Sequence, residues 1–394
     1  MKTNRLHSND WHSKHSVSRC AAGAFLSLLA ALTSSAQADS DADFVATAPL
    51  GVRTQGVLRE LFLDPVLLDA RPRTGMEIDL RWSAANSWSI PTQMVRKGQG
   101  AELWTDEQAD SLTARVRLPW SVFFKGGPTN LPGSAKSLSA RVSTAIEWRA
   151  TEHWGGWSDG AIAGFHNLIG GFGYDRNLYP ANQTRLQLRD QNAVTVFDLH
   201  APTLALGDLV ARTEFDLVDG SRGALALRFD VKAPTGTVAR AGSSGGWDES
   251  LGLAGTLTLG SRFTLHAMAT IAQFGHFSQP IELQPKRWHA TGDLSLAFKL
   301  GAVELLLEDR LATPLLEPGW TRVEFGGSNG LISSALNAAF RPHNQVSLGA
   351  RWRGFTFWLS EDYTPGANPR STITWVYVSN SPDIVAGLSW TKAF

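Results

Sequence analysis

The chain has 394 residues, of which 18% are charged, and its 36 basic residues equal its 36 acidic ones in number. This balance excludes the strongly basic face expected of a nucleic-acid-binding protein or of a polybasic membrane patch. The length is too great for one small domain and is acceptable for a single large barrel.

Residues 1–38 have the organisation of a secretory signal peptide. Their first part carries four basic residues, Lys2, Arg5, Lys14 and Arg19. The apolar core that follows, Ala21 to Leu32, is too short to span a membrane as a helix, and Ala36-Gln37-Ala38 forms a cleavage site. Cleavage there removes Cys20, the only cysteine, so we expect an exported chain that is held by packing or by a hydrogen-bonded sheet rather than by disulfides.

Residues 39–73 show no alternation of apolar and polar residues. Their apolar residues include Phe44, Leu58, Leu61, Phe62 and Leu63. Two interpretations remain open for this N-terminal segment, a plug inside a barrel or a periplasmic leader.

From residue 74 to residue 394, segments of roughly ten residues alternate with period two and are separated by turn residues, which is typical of membrane barrels. In residues 138–150, Leu138, Val142, Ile146 and Trp148 share one face. The opposite face of the same segment is polar. Because a soluble sheet also buries one face and solvates the other, alternation alone does not decide between a sandwich and a barrel. Absence of helical patterns, aromatic residues near strand ends and the predicted signal peptide favour an outer-membrane barrel.

About 14 segments can be read as strands, including residues 187–199 and 371–379, and we expect an all-β, antiparallel barrel of about 12 strands, with about 14 as the alternative. Short links near Asp219-Gly220, Gly260-Ser261 and Gly301 are predicted to be periplasmic turns, and the long links to be extracellular. The two ends of the chain should both lie on the periplasmic side, but this alternation of periplasmic turns and extracellular links does not place them there. We therefore predict that a strand is missed or merged in each half.

Charged residues on the polar faces are candidates for the barrel lumen. They are Arg141, Glu147, Arg149, Asp208, Arg212, Glu214, Arg228, Asp230, Lys232, Arg287, Asp293, Glu304, Glu308 and Arg310. A pore selective for one ion sign would show one dominant charge, whereas mixed charges bridge across a narrow lumen. These residues therefore either stabilise a small barrel or line a permeation path.

Residues 153–182 are rich in glycine and aromatic residues. Within them, Asp159–Leu168 is compatible with a short helix that lies in a loop or folds into the lumen. His166, with Asp175 and Arg176 nearby, is the candidate for a ligand or loop site, and a purely structural histidine is the simpler interpretation.

The last segment, Asp383–Phe394, places Trp390 and Phe394 on its apolar side. It resembles the C-terminal strand that serves as the assembly signal of Gram-negative outer-membrane barrels. We therefore predict that Trp390 and Phe394 are read by the barrel-assembly machinery.

Several patches resemble an uncharacterised family of proteobacterial outer-membrane barrels, a domain-of-unknown-function family. They are Gly160–Gly170 with Asp175-Arg176, Leu206-Gly207-Asp208, Lys232–Gly236, Gly242–Asp248, Glu361-Asp362 and Ser381-Pro382-Asp383. A looser similarity links their order to outer-membrane transporters of aromatic-degradation operons. The resemblance implies a barrel in the outer membrane and carries no established activity.

No nucleophile elbow, phosphate-binding loop or metal-binding motif occurs in the sequence. We expect no enzyme, no cofactor and no nucleic-acid partner. Three functions are compatible with these features: a narrow channel or transporter-like barrel for small solutes, a structural or interaction barrel with a sealed lumen, and a lipid-modifying enzyme. The first is preferred, with outer-membrane lipid and a small solute as partners.

Overall fold

One antiparallel sheet dominates the computed structural model, which describes residues 48–54, 56, 58–72, 75–96, 99–121, 141–160, 164, 180–190, 192–220, 222–316, 321–324, 343–365, 375–376 and 384–394. Its strands are β1 (Glu77–Arg96), β2 (Gln99–Pro119), β3 (Val142–Trp154), β4 (Arg185–Asp190), β5 (Thr195–Leu199), β6 (Thr203–Leu206), β7 (Leu209–Asp219), β8 (Gly223–Ala233), β9 (Asp248–Leu259), β10 (Phe263–Gln273), β11 (Trp288–Leu300), β12 (Val303–Ala312), β13 (Thr321–Glu324), β14 (His343–Trp352), β15 (Phe355–Pro365), β16 (Trp375–Val376) and β17 (Ile384–Ala393). Two 3-10 helices, Arg59–Leu61 and Val238–Arg240, lie in the described links.

The sheet closes on itself. β1 pairs with β2 on one side and with the last strand, β17, on the other, where Glu77 lies opposite Ala393 and Asn86 opposite Ile384. Following the pairings round gives a closed antiparallel barrel of 12 strands, namely β1, β2, β3, β7, β8, β9, β10, β11, β12, β14, β15 and β17. Closure removes the unpaired edges of an open sheet. The predicted all-β barrel of about 12 strands is confirmed.

The prediction of a missed or merged strand in each half was wrong, because the sequence reading contained a surplus strand in each half. Residues 187–199 fall in the hairpin of β4 and β5. Of the barrel strands, β4 pairs with residues 101–106 of β2, beyond the residues 108–119 that pair with β3. Of residues 371–379, the described part is the two-residue β16. Removing these two segments leaves 12 strands, and the start of β1 and the end of β17 then lie side by side at the same end of the barrel.

Apolar side chains of the barrel strands face outward and polar ones inward. Along β11, Leu294 and Leu296 are exposed, whereas the alternating Asp293 and Ser295 are buried. The neighbouring strand β12 repeats the pattern: Leu305, Leu307 and Leu311 are exposed outside, while Leu306 is buried inside among the polar residues of this face. A soluble sandwich would bury its apolar faces, so this inverted distribution is that of an outer-membrane-type barrel.

Tight turns join β7 to β8, β9 to β10, β11 to β12 and β14 to β15 at one end of the barrel, here called the turn end. Gly260, Gly301 and Gly354 have φ angles of 71°, 60° and 82° there, a region that glycine enters without strain from a Cβ atom. The opposite end, here called the loop end, carries the long links 234–247, 274–287 and 313–342. The predicted short turns lie at the turn end.

Among the described residues, no helix is both long and apolar enough to cross a membrane. Most of the predicted helix Asp159–Leu168 lies outside the described residues, as does the whole predicted signal peptide, residues 1–38. The signal peptide remains a prediction.

Candidate functional site

The barrel lumen contains a stretch of the chain itself, the described residues between 48 and 72, here called the lumenal segment. It contacts Arg351 near the turn end through the carbonyl of Pro49. It then reaches the loop end at Leu58–Leu63 and returns, so that the Ala70 amide donates to Thr256 near the end of β9. The segment therefore passes through the lumen twice before β1 begins.

Near its start, the segment is held by hydrogen bonds between side chains of the wall and its backbone. The carboxylate of Glu308 accepts hydrogen bonds from the amides of Gly51 and Val52, at 2.9 and 3.0 Å. From the opposite side, Arg81 Nη1 donates to the carbonyls of Leu50 and Gly51, both at 2.7 Å. Hydrogen bonds to a charged group stabilise by about 1.5–3 kcal/mol, so this clamp is a strong one.

Three lumenal arginines hold the returning pass in the same way. Arg212 Nη2 donates to the carbonyl of Asp64 at 3.1 Å, Arg310 donates to the carbonyl of Pro65, and Arg228 to that of Val66. These three are the largest fully buried side chains among the described residues. Arginine retains its charge in such surroundings, so its donors must find acceptors, and the segment's carbonyls supply them.

Ion pairs connect these arginines to the wall. Arg212 pairs with Glu147 at 3.1 Å and with Asp230 at 2.9 Å. Arg53 of the lumenal segment also pairs with Glu147, at 2.6 Å. Each buried charge in this group therefore has a partner of opposite sign.

At the loop end, the tip of the lumenal segment packs into an apolar cluster. Phe62 stacks on Phe274 with ring centroids 5.1 Å apart and meets Phe277 edge-on at 5.3 Å. Leucines of the tip and apolar residues of β4, β5 and the long links complete the cluster. The loop end of the lumen is thus covered by hydrophobic packing, whereas its middle is held by charges.

Three of the sequence patches converge beside this tip, in what we call the Lys232 network. Lys232 Nζ lies 2.6 Å from Asp208, 3.3 Å from Asp248 and 3.2 Å from Ser244 Oγ, and all four side chains are buried. Asp208 also accepts from Ser243 Oγ at 2.8 Å. The patches Leu206–Asp208, Lys232–Gly236 and Gly242–Asp248 therefore form a single structural unit.

The Lys232 network is joined to the lumenal segment. Asp248 accepts from the amide of Leu63 at 2.7 Å, and the amide of Ser244 donates to the carbonyl of Leu61 at 3.2 Å. Asp248 also accepts from the amide of Gly275 in the next long link, at 2.8 Å. Two long links and the segment tip are thereby fastened together around one lysine.

Of the lumen candidates, only Arg141 and Arg287 are exposed, each lying just before the strand that follows it. The buried ones are Glu147, Arg149, Asp208, Arg212, Glu214, Arg228, Asp230, Lys232, Asp293, Glu304, Glu308 and Arg310. Sequence reasoning missed the inner charges of β1 and β2 and of the β14 end: Glu77, Asp79, Arg81, Glu107, Arg115, Arg117 and Arg351. Arg117 pairs with Glu214 at 3.0 Å, and Arg351 with Glu304 at 2.6 Å. The period-two pattern of β1 and β2 would have identified the missed residues in those two strands.

The other candidates are placed as follows. His166, Asp175 and Arg176 lie outside the described residues. Trp390 is half-buried on the outer face of β17, and Phe394 is exposed, with its amide donating to the carbonyl of Met76 at 2.8 Å across the barrel closure. Among the described residues, no group of three or more His, Cys, Asp or Glu side chains could hold a metal ion.

A small recess opens between the lumenal segment and the wall of β11 and β12 near the loop end. Thr54, Arg59, Phe62, Leu63 and Asp64 line it from the segment. The wall and the links contribute Phe274, His289, Thr291, Ala312 and Leu315. The recess has room for about one water molecule, far less than the roughly 300–1,000 Å³ of pockets that hold drug-sized ligands.

Comparison with known proteins identifies a family described as "Protein of unknown function (DUF3187)", whose pattern matches residues 134–321. The predicted resemblance to an uncharacterised family is confirmed over that range. No curated protein sequence matches the chain.

Solved structures with similar folds include an outer membrane channel from Pseudomonas putida F1, at 10% identity and a TM-score of 0.42, covering 82% of this chain and 96% of the channel. A Pseudomonas aeruginosa FadL homologue matches at 9% identity and 0.33, covering 82% and 91%. The toluene transporter TodX of P. putida matches at 10% identity and 0.34, covering 83% and 93%.

Proposed function

We propose that the protein is an outer-membrane barrel that acts as a narrow channel for small solutes, with the lumenal segment restricting its pore. The observation that carries this proposal is the double pass of the segment through the lumen. An eight-stranded barrel can be filled by its own inward side chains, but a larger one encloses space. Here that space is occupied by a stretch of chain that is not part of the sheet, without which the polar lumen would be open.

Placement in the outer membrane is supported by the two faces of the strands, which are apolar outside and polar inside, the reverse of a soluble protein. A bilayer offers no hydrogen bonds to the backbone, so only closed barrels and helices span it. The outward leucines and the closed 12-strand sheet meet this requirement. We further propose that Trp390 and Phe394, on the outer face and at the end of the closing strand, are recognised by the barrel-assembly machinery.

A sealed structural barrel is the competing function. The contacts that hold the lumenal segment argue against this function. The wall binds it largely through side-chain hydrogen bonds to its backbone, by Glu308, Arg310 and Arg228 among others, and not by strand pairing. Such contacts can be exchanged for water, whereas a sheet pairing inside the lumen could not be undone without loss of the fold.

A lipid-modifying enzyme receives no support. It would need a histidine and a serine on the outer, lipid-facing surface. The strand histidines whose side chains are described, His153, His266 and His289, are all buried on the inner side.

Conductance in planar bilayers tests the channel, with Glu308→Ala as the informative variant. The substitution removes the acceptor of two segment amides, a loss of about 1.5–3 kcal/mol that corresponds to roughly a tenfold or greater rise in open time. Glu249→Ala, at an exposed position of β9, is the matched control and is expected to behave like the intact protein.

Small, rare openings of the intact protein and longer openings of Glu308→Ala support the channel. Silence of all three proteins would favour the sealed barrel. Equal and steady conductance of all three would show that the segment does not restrict the pore.

A further inference from the structure

His289 lies on the inner side of β11 at the loop end, where it contacts the tip of the lumenal segment. Its Nε2 atom lies 3.4 Å from Arg59 Nη1, and its Nδ1 atom lies 2.9 Å from Thr313 Oγ1. Arg59 Nη2 also donates to the carbonyl of Thr313, at 3.4 Å. The ring stacks on Phe274, which in turn stacks on Phe62 of the tip. Both ring nitrogens and one ring face are therefore engaged where the tip meets the wall.

These contacts determine the protonation state of the ring. A guanidinium group has donors only, so His289 Nε2 must accept the hydrogen bond from Arg59. The single proton of a neutral imidazole then lies on Nδ1 and is donated to Thr313 Oγ1. A second proton, on Nε2, would remove the acceptor for Arg59 and would place two cations 3.4 Å apart.

Other charged groups surround the ring on every side that is described. They are Asp64 of the lumenal segment, Lys286 and Arg287 just before β11, Asp293 of β11 and Arg310 of β12. Asp64 pairs with Arg310 Nη2 at 2.5 Å, and Asp293 lies 3.5 Å from Arg310 Nε. On the side of β10, the neighbours Ala272 and Phe274 carry no charge. Arg310 is thus the partner of both carboxylates, and Arg59 is the cation in contact with the ring.

The other two buried strand histidines whose side chains are described face carboxylates. His153 Nδ1 lies 2.8 Å from Glu107, and His266 Nδ1 lies 3.9 Å from Asp69. A protonated ring at either position would be paired with a negative charge, whereas a protonated His289 would meet the guanidinium of the tip. Of these three rings, His289 is the one whose contact with the segment acid would disrupt.

Water reaches this contact, because the recess with room for about one water molecule is lined by both Arg59 and His289. Docking of the tip requires a neutral ring, so a protonated His289 must lose its proton each time the tip docks. The undocked state therefore binds more protons than the docked state, and docking weakens as the pH falls below about 6.5, the usual pKa of histidine. We propose that His289 is an acid-sensitive latch, which holds the tip of the lumenal segment at neutral pH and loosens it in acid.

Other contacts of the tip remain when the latch opens. Glu60 still pairs with Arg149 on the opposite wall, at 3.3 Å, and the amide of Leu63 still donates to Asp248. Acid therefore loosens the tip without unfolding the barrel. Because the tip covers the loop end of the lumen, the latch would regulate the proposed channel, and this consequence rests on that proposal. The loosening itself occurs whether or not the barrel conducts.

Hydrogen exchange at the amide of Phe62, which donates to the carbonyl of Arg59 within the tip, tests the latch without measuring transport. Its rate is divided by that of the Lys299 amide at the turn end, so that the direct effect of pH on exchange chemistry cancels. From about pH 7.5 to about pH 5 we expect the ratio to rise at least about tenfold, the factor for about 1.4 kcal/mol. Linkage allows up to about thirtyfold, since pH 5 lies about 1.5 units below the usual histidine pKa.

His289→Gln is the informative variant, because glutamine can accept from Arg59 and donate to Thr313 but does not titrate. Its ratio should match that of the intact protein at neutral pH and should change less than about twofold in acid. His153→Gln, which replaces a buried histidine that faces Glu107, is the matched control and should keep the full rise. The shift of the gel band on boiling shows that each variant still forms a barrel.

A constant ratio in the intact protein would overturn the latch. A rise that persists in His289→Gln, or that disappears in His153→Gln, would overturn it too, because another group would then be responsible. The expected pattern together with silent bilayers at both pH values would support the latch and would count against the proposed channel alone.

Discussion

Lys232 is the residue through which three separate stretches of sequence meet. Its ammonium group is buried between Asp208 and Asp248, and the serine hydroxyl of Ser244 completes its surroundings. Removing one partner of a buried ion pair leaves an uncompensated charge and destabilises by about 3–5 kcal/mol. A single side chain therefore controls whether the loop end stays fastened to the lumenal segment.

Lys232→Met is expected to loosen the loop end, since it leaves two buried carboxylates without their cation. Hydrogen exchange at the amides of Gly236 and Gly275, which donate to Asp208 and Asp248, should accelerate about a hundredfold for about 3 kcal/mol. Ser243→Ala removes one hydrogen bond of the same network and should accelerate exchange less than about tenfold, for about 1 kcal/mol.

The amide of Lys299, bonded to the carbonyl of Arg262 at the turn end, is the internal reference and should not change in either variant. If Ser243→Ala had as large an effect as Lys232→Met, the lysine would not be the centre of the network.

At the scale of the single strand, β12 has a polar face toward the lumen and an apolar face toward the outside of the barrel. Its inward Glu304, Glu308 and Arg310 are buried, whereas its outward Leu305 and Leu307 are exposed. The same alternation would fit a soluble sheet with its faces exchanged. The two cases predict opposite responses to a charge placed on the leucine face.

Leu307→Arg is expected to destabilise the barrel in lipid vesicles by about 2–4 kcal/mol, because the new charge lies in the apolar belt. On a water-exposed surface the same change would alter stability by about 0.5 kcal/mol or less. Leu300→Arg, at the turn-end terminus of β11, is the depth control and should cost about 0–1 kcal/mol. The free energy of unfolding in denaturant measures both, and two values near zero would exclude a lipid-facing belt.

At the scale of the whole molecule, the barrel was predictable from the sequence because its signal is local. Period-two alternation predicts the strands and their inner faces, and the turn glycines predict the links at the turn end. One error lay in residues 187–199, whose alternation is real but serves the β4–β5 hairpin at the loop end. The other lay in residues 371–379, of which the described part is the two-residue β16. Alternation reveals that a segment is a strand, but it does not reveal which strand it joins.

The course of the lumenal segment was not predictable, because its contacts are distant in sequence and follow no period. Gly51 is bonded to Glu308, 257 residues away. Backbone amides and carbonyls accept any suitable side chain, so residues 39–73 carried no pattern that could separate a plug from a leader. The patches Leu206–Asp208, Lys232–Gly236 and Gly242–Asp248 were recognised as motifs, but only the fold showed that they form one network.

The swelling of proteoliposomes in neutral solutes of graded size tests the restricted channel most directly. The intact chain is compared with a chain lacking residues 48–72, after the shift of its gel band on boiling has shown that the shortened chain still forms a barrel. We predict that the intact barrel admits glycerol but excludes a trisaccharide, and that the shortened barrel admits both. The same size limit in both chains would contradict the account.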